Sequence, residues 1–188
     1  MIYKEDEKFE KIDFTVKKLE KGEYDNCQFV NCSFSGADLS GISLSESEFI
    51  GCNLSMIKTM QTTFRDVKFK NCKLLGVHFE ECSELLFQVN FEDSILDLSS
   101  FYKRKLKKIV FKSCSLKEVD FTEADLTQAV FQDCDLEKAV FDHTTLDKAD
   151  LRTAYSYSID PAANSLKKAR FSITGISGLL DKYDIEIE

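Results

Sequence analysis

Ten carboxylates crowd into residues 118–150: Glu118, Asp120, Glu123, Asp125, Asp133, Asp135, Glu137, Asp142, Asp147 and Asp150, opposed only by Lys138 and Lys148. Ten acids less two bases gives −8, the formal charge of the whole chain, so the rest sums to zero. Closely spaced carboxylates can do acid–base work on a sugar, but such sites need a groove. Calcium-binding solenoids need Gly-Asp-rich turns, which this sequence lacks. His78 and His143 stand alone, and no glycine-rich phosphate loop, HExxH, or nucleophile beside a base occurs. Residues 103–112 hold Lys103, Arg104, Lys105, Lys107, Lys108 and Lys112 with no acid. Lacking aromatic partners for base stacking, that band is read as solvated surface rather than a nucleic-acid contact. The sequence therefore argues against an enzyme, and for no cofactor and no metal.

The positions of these groups follow from a strict period. From Leu106 to Leu151 a large apolar residue falls on every fifth position: Leu106, Phe111, Leu116, Phe121, Leu126, Phe131, Leu136, Phe141, Leu146, Leu151. Two places before each central residue sits a compact one, such as Cys114, Ala124 or Ala149. Neither the 3.6-residue helix nor the two-residue strand produces a five. Five residues must form one side of a coil and a corner, with the central residue and the compact one turned inward. Four such sides per coil stack Phe101, Phe121 and Phe141 together and Leu106, Leu126 and Leu146 together, with coils ~4.8 Å apart, the spacing of paired strands. That is a solenoid in which each coil leans on its neighbours.

The run Ala124-Asp125-Leu126-Thr127-Gln128 has the Ala-Asp/Asn-Leu-X-X form of the pentapeptide-repeat family, which the chain resembles over nearly its whole length. The resemblance implies an all-β solenoid, a right-handed quadrilateral β-helix, here with a short C-terminal helix. The tail SIDPAANSLKKARFSITGISGLLDKYDIEIE further resembles the quinolone-resistance (Qnr-type) branch and its topoisomerase-poison immunity relatives. That resemblance implies binding to type II topoisomerases, DNA gyrase foremost and topoisomerase IV with it. It also implies a homodimer through the C-terminus.

All seven cysteines, Cys27, Cys32, Cys52, Cys72, Cys82, Cys114 and Cys134, fall two places before a central position. Random placement would put about one in five there, so they are read as packing residues, not as zinc ligands or disulfides. Cys32, Cys52 and Cys72 should stack one coil apart. No eighteen-residue apolar run and no signal-peptide core occur, so a cytoplasmic protein with no membrane contact is expected.

Taken in order, one domain spans 1–188. Residues 1–24 are read as an irregular capping coil, with Glu7, Lys17 and Gly22 as poor partner residues. Regular coils run over 25–84 and 86–151, with Thr59 the weak central member. Between Phe79 and Leu86 the phase slips by two residues, and Leu86 is expected to resume it; fifteen of sixteen phenylalanines obey one phase or the other, and Phe87 does not. A bulge and bend should absorb the slip. Residues 152–188 form a cap and dimerisation segment. There Ile176, Leu179, Leu180 and Tyr183 have helical spacing, with Thr174 a candidate N-cap, and Ile185 and Ile187 alternate with acids like a short strand. With Ile173 these six make the expected dimer interface.

The function read from this is a DNA-mimicking protein. An acidic stripe along a straight rod could enter a duplex-binding saddle, since DNA presents one charge per ~1.7 Å, and phase arithmetic places Asp120, Glu123, Asp125, Asp142 and Asp147 on two adjoining faces as the contact. The partner would be gyrase, with no direct nucleic-acid binding. A rigid scaffolding module for some other protein is the alternative.

Overall fold

The computed structural model describes residues 1–186, and its architecture is a four-sided β-solenoid. Parallel strands run down one side as a nine-stranded sheet: Lys8–Glu10, Gln28–Val30, Glu48–Ile50, Val67–Lys70, Val89–Glu92, Val110–Lys112, Val130–Gln132, Asp150–Leu151 and Arg170–Phe171. A four-stranded sheet, Ile2–Glu5, Gly22–Asp25, Ser43–Ser45 and Thr63–Arg65, forms another side near the N-terminus. The register step is twenty residues, as in Phe29↔Phe49 and Phe111↔Phe131. Residues 1–24 already obey it through Phe9↔Phe29 and Tyr24↔Leu44, so most of this segment is a paired coil rather than the irregular one expected. Its central residues are nonetheless less buried at the open end, where Phe9 is only half-buried.

We number the sides in chain order from the one holding Phe9. The first side stacks Phe91 on Phe111 and Phe111 on Phe131, with centroids 5.5 and 5.2 Å apart. The third side stacks Phe79, Phe101, Phe121 and Phe141 at 4.5–5.5 Å. The two columns meet edge-to-face across the interior, Phe111 to Phe121 at 5.9 Å and 74°, a favoured aromatic geometry. Leucines such as Leu116 and Leu126 fill the second and fourth sides and are fully buried. Thr59 is also fully buried, and its hydroxyl donates to the His78 carbonyl at 2.6 Å, which satisfies the one polar central residue.

The seven cysteines are free and buried. Six positions of one inward column, Cys32, Cys52, Cys72, Ser94, Cys114 and Cys134, follow one another down the second side; the Cys32 amide donates to Cys52 Sγ at 3.3 Å, and Cys52 Sγ donates to the Phe29 carbonyl at 3.2 Å. The neighbouring Cys72 thiol and burial push Cys52 above the ordinary thiol range. These thiols tie coils together as small donors.

Most corners place the residue two after the centre in the left-handed region, for example Asn31 (φ 51°), Lys108 (φ 64°) and Lys148 (φ 59°). Only glycine adopts this without strain, so interlocking backbone hydrogen bonds on either side hold the corners.

At the phase slip the register step becomes twenty-two, Val67↔Val89 and Phe69↔Phe91, and the first-side sheet continues through it. The extra residues loop out on the fourth side. Leu86, expected to resume the inward series, is 60% exposed with φ 55°, and Leu85 is also exposed. Phe87 turns inward instead, meeting Phe64 and Phe79 edge-on at 6.4 and 6.3 Å. A corner residue in the left-handed region cannot also point inward, so the adjacent Phe takes the vacant core position.

The C-terminal segment differs from the expected amphipathic helix. Ile176–Leu179 and Asp181–Tyr183 are single 3₁₀ turns, and the Thr174 hydroxyl contacts Ser172 Oγ at 3.1 Å instead of capping. Gly178 explains this: it is buried and its carbonyl accepts from the Ile159 amide at 2.8 Å, which pins the turn to the last coil before a helix can extend. Residues 184–186 form no strand, and Ile187 lies outside the described residues. No helix among the described residues is long and apolar enough to cross a membrane.

Candidate functional site

Because the backbone repeats every twenty residues, bridges assign every outward residue to a side. Asp120 aligns with Ser100 and Val140, Asp125 with Lys105 and Thr145, and Asp135 with Ser115 and Tyr155; Asp150 pairs with Val130. The ten acids of 118–150 therefore divide over all four sides: Asp133 and Asp150 on the first, Glu118, Asp135 and Glu137 on the second, Asp120, Glu123 and Asp142 on the third, Asp125 and Asp147 on the fourth. The single gathered stripe expected from sequence is not formed. A charge cluster spanning thirty-three residues covers more than one twenty-residue circuit, so it must wrap the rod.

The acids differ in what they touch. On the second side Lys117 Nζ bridges Asp135 and Glu137 at 3.1 and 2.8 Å. On the first, Asp150 holds Arg152 at 2.7 Å and Arg170 at 3.4 Å; the Arg152 contact, with the opposing effect of partial burial, keeps its carboxyl below the usual range. Three of the five acids on these two sides are thus paired with bases, Glu118 and Asp133 being the exceptions. On the third side Asp120 Oδ1 accepts only the Thr122 amide at 2.8 Å. Glu123 is near Lys103 at 3.5 Å, and Asp142 is near the His143 ring at 2.9 Å. From Phe79 to Phe141 this side carries Glu80, Glu81, Asp120, Glu123 and Asp142 against Lys103 alone.

The fourth side is the reverse. From Leu106 to Leu166 it carries Lys105, Lys107, Lys108, Lys148, Lys167 and Lys168 against Asp125 and Asp147. Both acids there are committed to the coil. Asp125 Oδ1 accepts the Thr127 amide and hydroxyl at 3.1 and 2.6 Å, and Oδ2 lies 3.3 Å from Lys107. Partial burial disfavours ionisation of Asp125, but these donors outweigh it and hold its carboxyl below the usual range. Asp147 Oδ1 accepts from Ser165 Oγ at 2.6 Å and the Lys167 amide at 3.1 Å, which lowers its pKa likewise. The five candidate contact acids do fall on two adjoining sides, but only Asp120, Glu123 and Asp142 share an acidic one.

Two features escaped the sequence reading. The lysine column has a signal there, Lys108, Lys148 and Lys168 sharing a twenty-residue phase, visible once the chain is folded at that period. Arg104 has only its phase, two before Leu106. It belongs to the basic band read as surface, yet it is buried at an inward position held in neighbouring coils by the smaller, uncharged Thr62, Cys82 and Ala124. The bulge makes its room: Nη1 and Nη2 donate to the carbonyls of Cys82 and Ser83 at 3.1 and 3.0 Å.

Of the expected dimer residues, Ile173, Ile176, Tyr183 and Ile185 are exposed, Ile173 at 92%. Leu179 and Leu180 are half-buried, and Leu179 packs on the core. Among the described residues no three metal-type side chains converge.

Structural comparison finds QnrB1, a plasmid-mediated fluoroquinolone resistance protein. Its trypsin-treated form is 21% identical over 100% of this chain and 98% of that one, TM-score 0.47; the full-length form is 17% identical over 97% and 100%, TM-score 0.47. HetL, a pentapeptide-repeat protein involved in heterocyst differentiation regulation in the cyanobacterium Nostoc, is 16% identical over 89% of each chain, TM-score 0.37. No curated protein matches the sequence. The family model described as "Pentapeptide repeat region" matches residues 22–101 and 74–151, more than half of the chain. With that match over a four-sided coil, the chain belongs to the pentapeptide-repeat family.

Proposed function

We propose that the chain is a non-enzymatic binding rod whose third side takes the place of a DNA strand on a type II topoisomerase, DNA gyrase foremost, and so protects the enzyme from quinolones or related poisons. The observation that carries this is the charge of that side. Five acids over four coils of ~4.8 Å average one carboxylate per roughly 4 Å, near the ~3.4 Å per phosphate of a single strand, with the Phe101 coil contributing Lys103 and no acid. The surface presents one strand's charge rather than a whole duplex's. The resemblance of the tail to the quinolone-resistance branch supplies the enzyme. Two rods joined at their exposed C-terminal isoleucines by a two-fold axis would extend the acidic line past one chain's length. Steering by such a surface is salt-sensitive.

The second reading, a scaffold for a different protein, is favoured by the fourth side, whose six lysines no DNA strand would present. A gyrase supercoiling assay with a quinolone separates the two. Mimicry requires that the protein restore or inhibit supercoiling and that Asp120→Lys/Glu123→Lys/Asp142→Lys abolish the effect while the fold persists. Absence of any effect across concentrations favours the scaffold.

A further inference from the structure

The phase slip and the basic band, unrelated in sequence, adjoin in space. The looped-out residues leave a hollow of ≈ 470 Å³ between the bulge and the next coil, lined by Phe87, Gln88, Val89 and Asn90 on one wall and by residues 105–109 on the other. A second hollow of ≈ 220 Å³ shares Phe87 and Lys105 with it and reaches Lys103 and Arg104, with Glu84 the one acid on its lining. Beneath lies Arg104, 5% exposed, its guanidinium held on carbonyls and the Phe87 ring. No ion pair among the described residues neutralises it, and its Nε has no hydrogen-bond partner. A buried cation without a counter-charge is costly. Of the rim lysines, Lys103 and Lys107 face Glu123 and Asp125 at 3.5 and 3.3 Å. Lys105 and Lys108 form no ion pair among the described residues and are exposed.

We propose that this double hollow is a docking site for a short acidic segment of a partner protein, its carboxylates on Lys105 and Lys108 and an apolar side chain against Phe87. Charge complementarity sets the sign of the occupant, since the unpaired cations outnumber Glu84. The apolar wall selects a peptide over a bare phosphate. Extent argues against a nucleic-acid track, because the third side next to it carries Glu80, Glu81 and Glu123, and on the fourth side the next coil carries Asp125 and no lysine. This inference is independent of the topoisomerase reading, which uses the third side alone.

The test is fluorescence anisotropy of a fluorescein-labelled hexapeptide of alternating Glu and Leu on the full chain at low salt. Lys105→Glu/Lys108→Glu, two exposed positions, should weaken binding by about tenfold or more, whereas Lys148→Glu/Lys168→Glu, further down the same side, should change it less than about twofold. Replacing Leu by Ser in the peptide should weaken it by at least about threefold. Amide shifts of Gln88 and Asn90 on titration should report the hollow. Equal losses from both lysine pairs, no preference for Leu, no binding, or tighter binding of a twelve-nucleotide single-stranded DNA each overturn the proposal.

Discussion

The guanidinium of Arg104 lies 4.0 Å over the ring centroid of Phe87, each residue occupying a place the other makes possible. Phe87 enters the core because the bulge displaces Leu86, and Arg104 fits a small-residue position because the same bulge opens it. Arg104→Ala should therefore destabilise the fold by about 2–4 kcal/mol through two lost charged hydrogen bonds and a lost cation–π contact. Arg104→Lys should recover little, since a single ammonium cannot span the Cys82 and Ser83 carbonyls. Urea midpoints would decide it. A value within about 0.5 kcal/mol of the parent means the clamp is incidental.

Phe111 touches stacked rings above and below and an edge across the interior. Phe111→Ala should cost about 3–5 kcal/mol. Phe69→Asp should abolish soluble folded protein, while Lys68→Asp, one residue away and exposed, should leave the melting temperature almost unchanged. Comparable effects at 68 and 69 would show the inward phase to be wrong.

Alkaline pH should unfold the rod gradually. Burial pushes the Cys82 thiol from its ordinary 9.0 up to about 12, and the Tyr24 hydroxyl from 10.0 up to about 12. The folded chain holds both protons more tightly than the unfolded chain. Their stabilising effect is thus complete below the unfolded values and is lost as pH climbs toward 12. The urea midpoint should fall between pH 9 and 12, and Cys82→Ala/Tyr24→Phe should flatten the fall. A midpoint constant across that window contradicts the burial argument.

The exposed isoleucines of the tail give the proposed dimer its handle. Ile173→Asp/Ile176→Asp should shift sedimentation at micromolar concentration from dimer to monomer with the melting temperature of the coils preserved. A parent protein that sediments as a monomer removes the dimer altogether.

Much of this was legible beforehand. A residue such as Phe121 declares its place because five-residue periodicity fixes both the side and the depth, and the thiols of Cys32 and Cys52 follow from the same rule. Charge was harder to read. Asp120 and Asp125 look like neighbours in a single run, yet a corner separates them and the second sits among lysines. Sequence proximity and surface proximity part company once the chain winds. Arg104 stands at an inward position by phase, two before Leu106, but the room for so large a charged side chain comes from a local irregularity one coil earlier, which the phase does not show. The tail misled for a similar reason: Ile176, Leu179, Leu180 and Tyr183 keep helical spacing, but the hydrogen bond from Ile159 to Gly178 decides the backbone.

The twenty-two-residue circuit has a consequence for how such a chain can change over generations. Two additional residues were absorbed at one corner while Phe69 still met Phe91 face to face, so length can drift at the corners without shifting the registration of anything downstream. Along the flat sides no such freedom exists, because an insertion there would turn a buried ring outward. New recognition features should accordingly arise where the ribbon bends, and the sides should remain conservative in length.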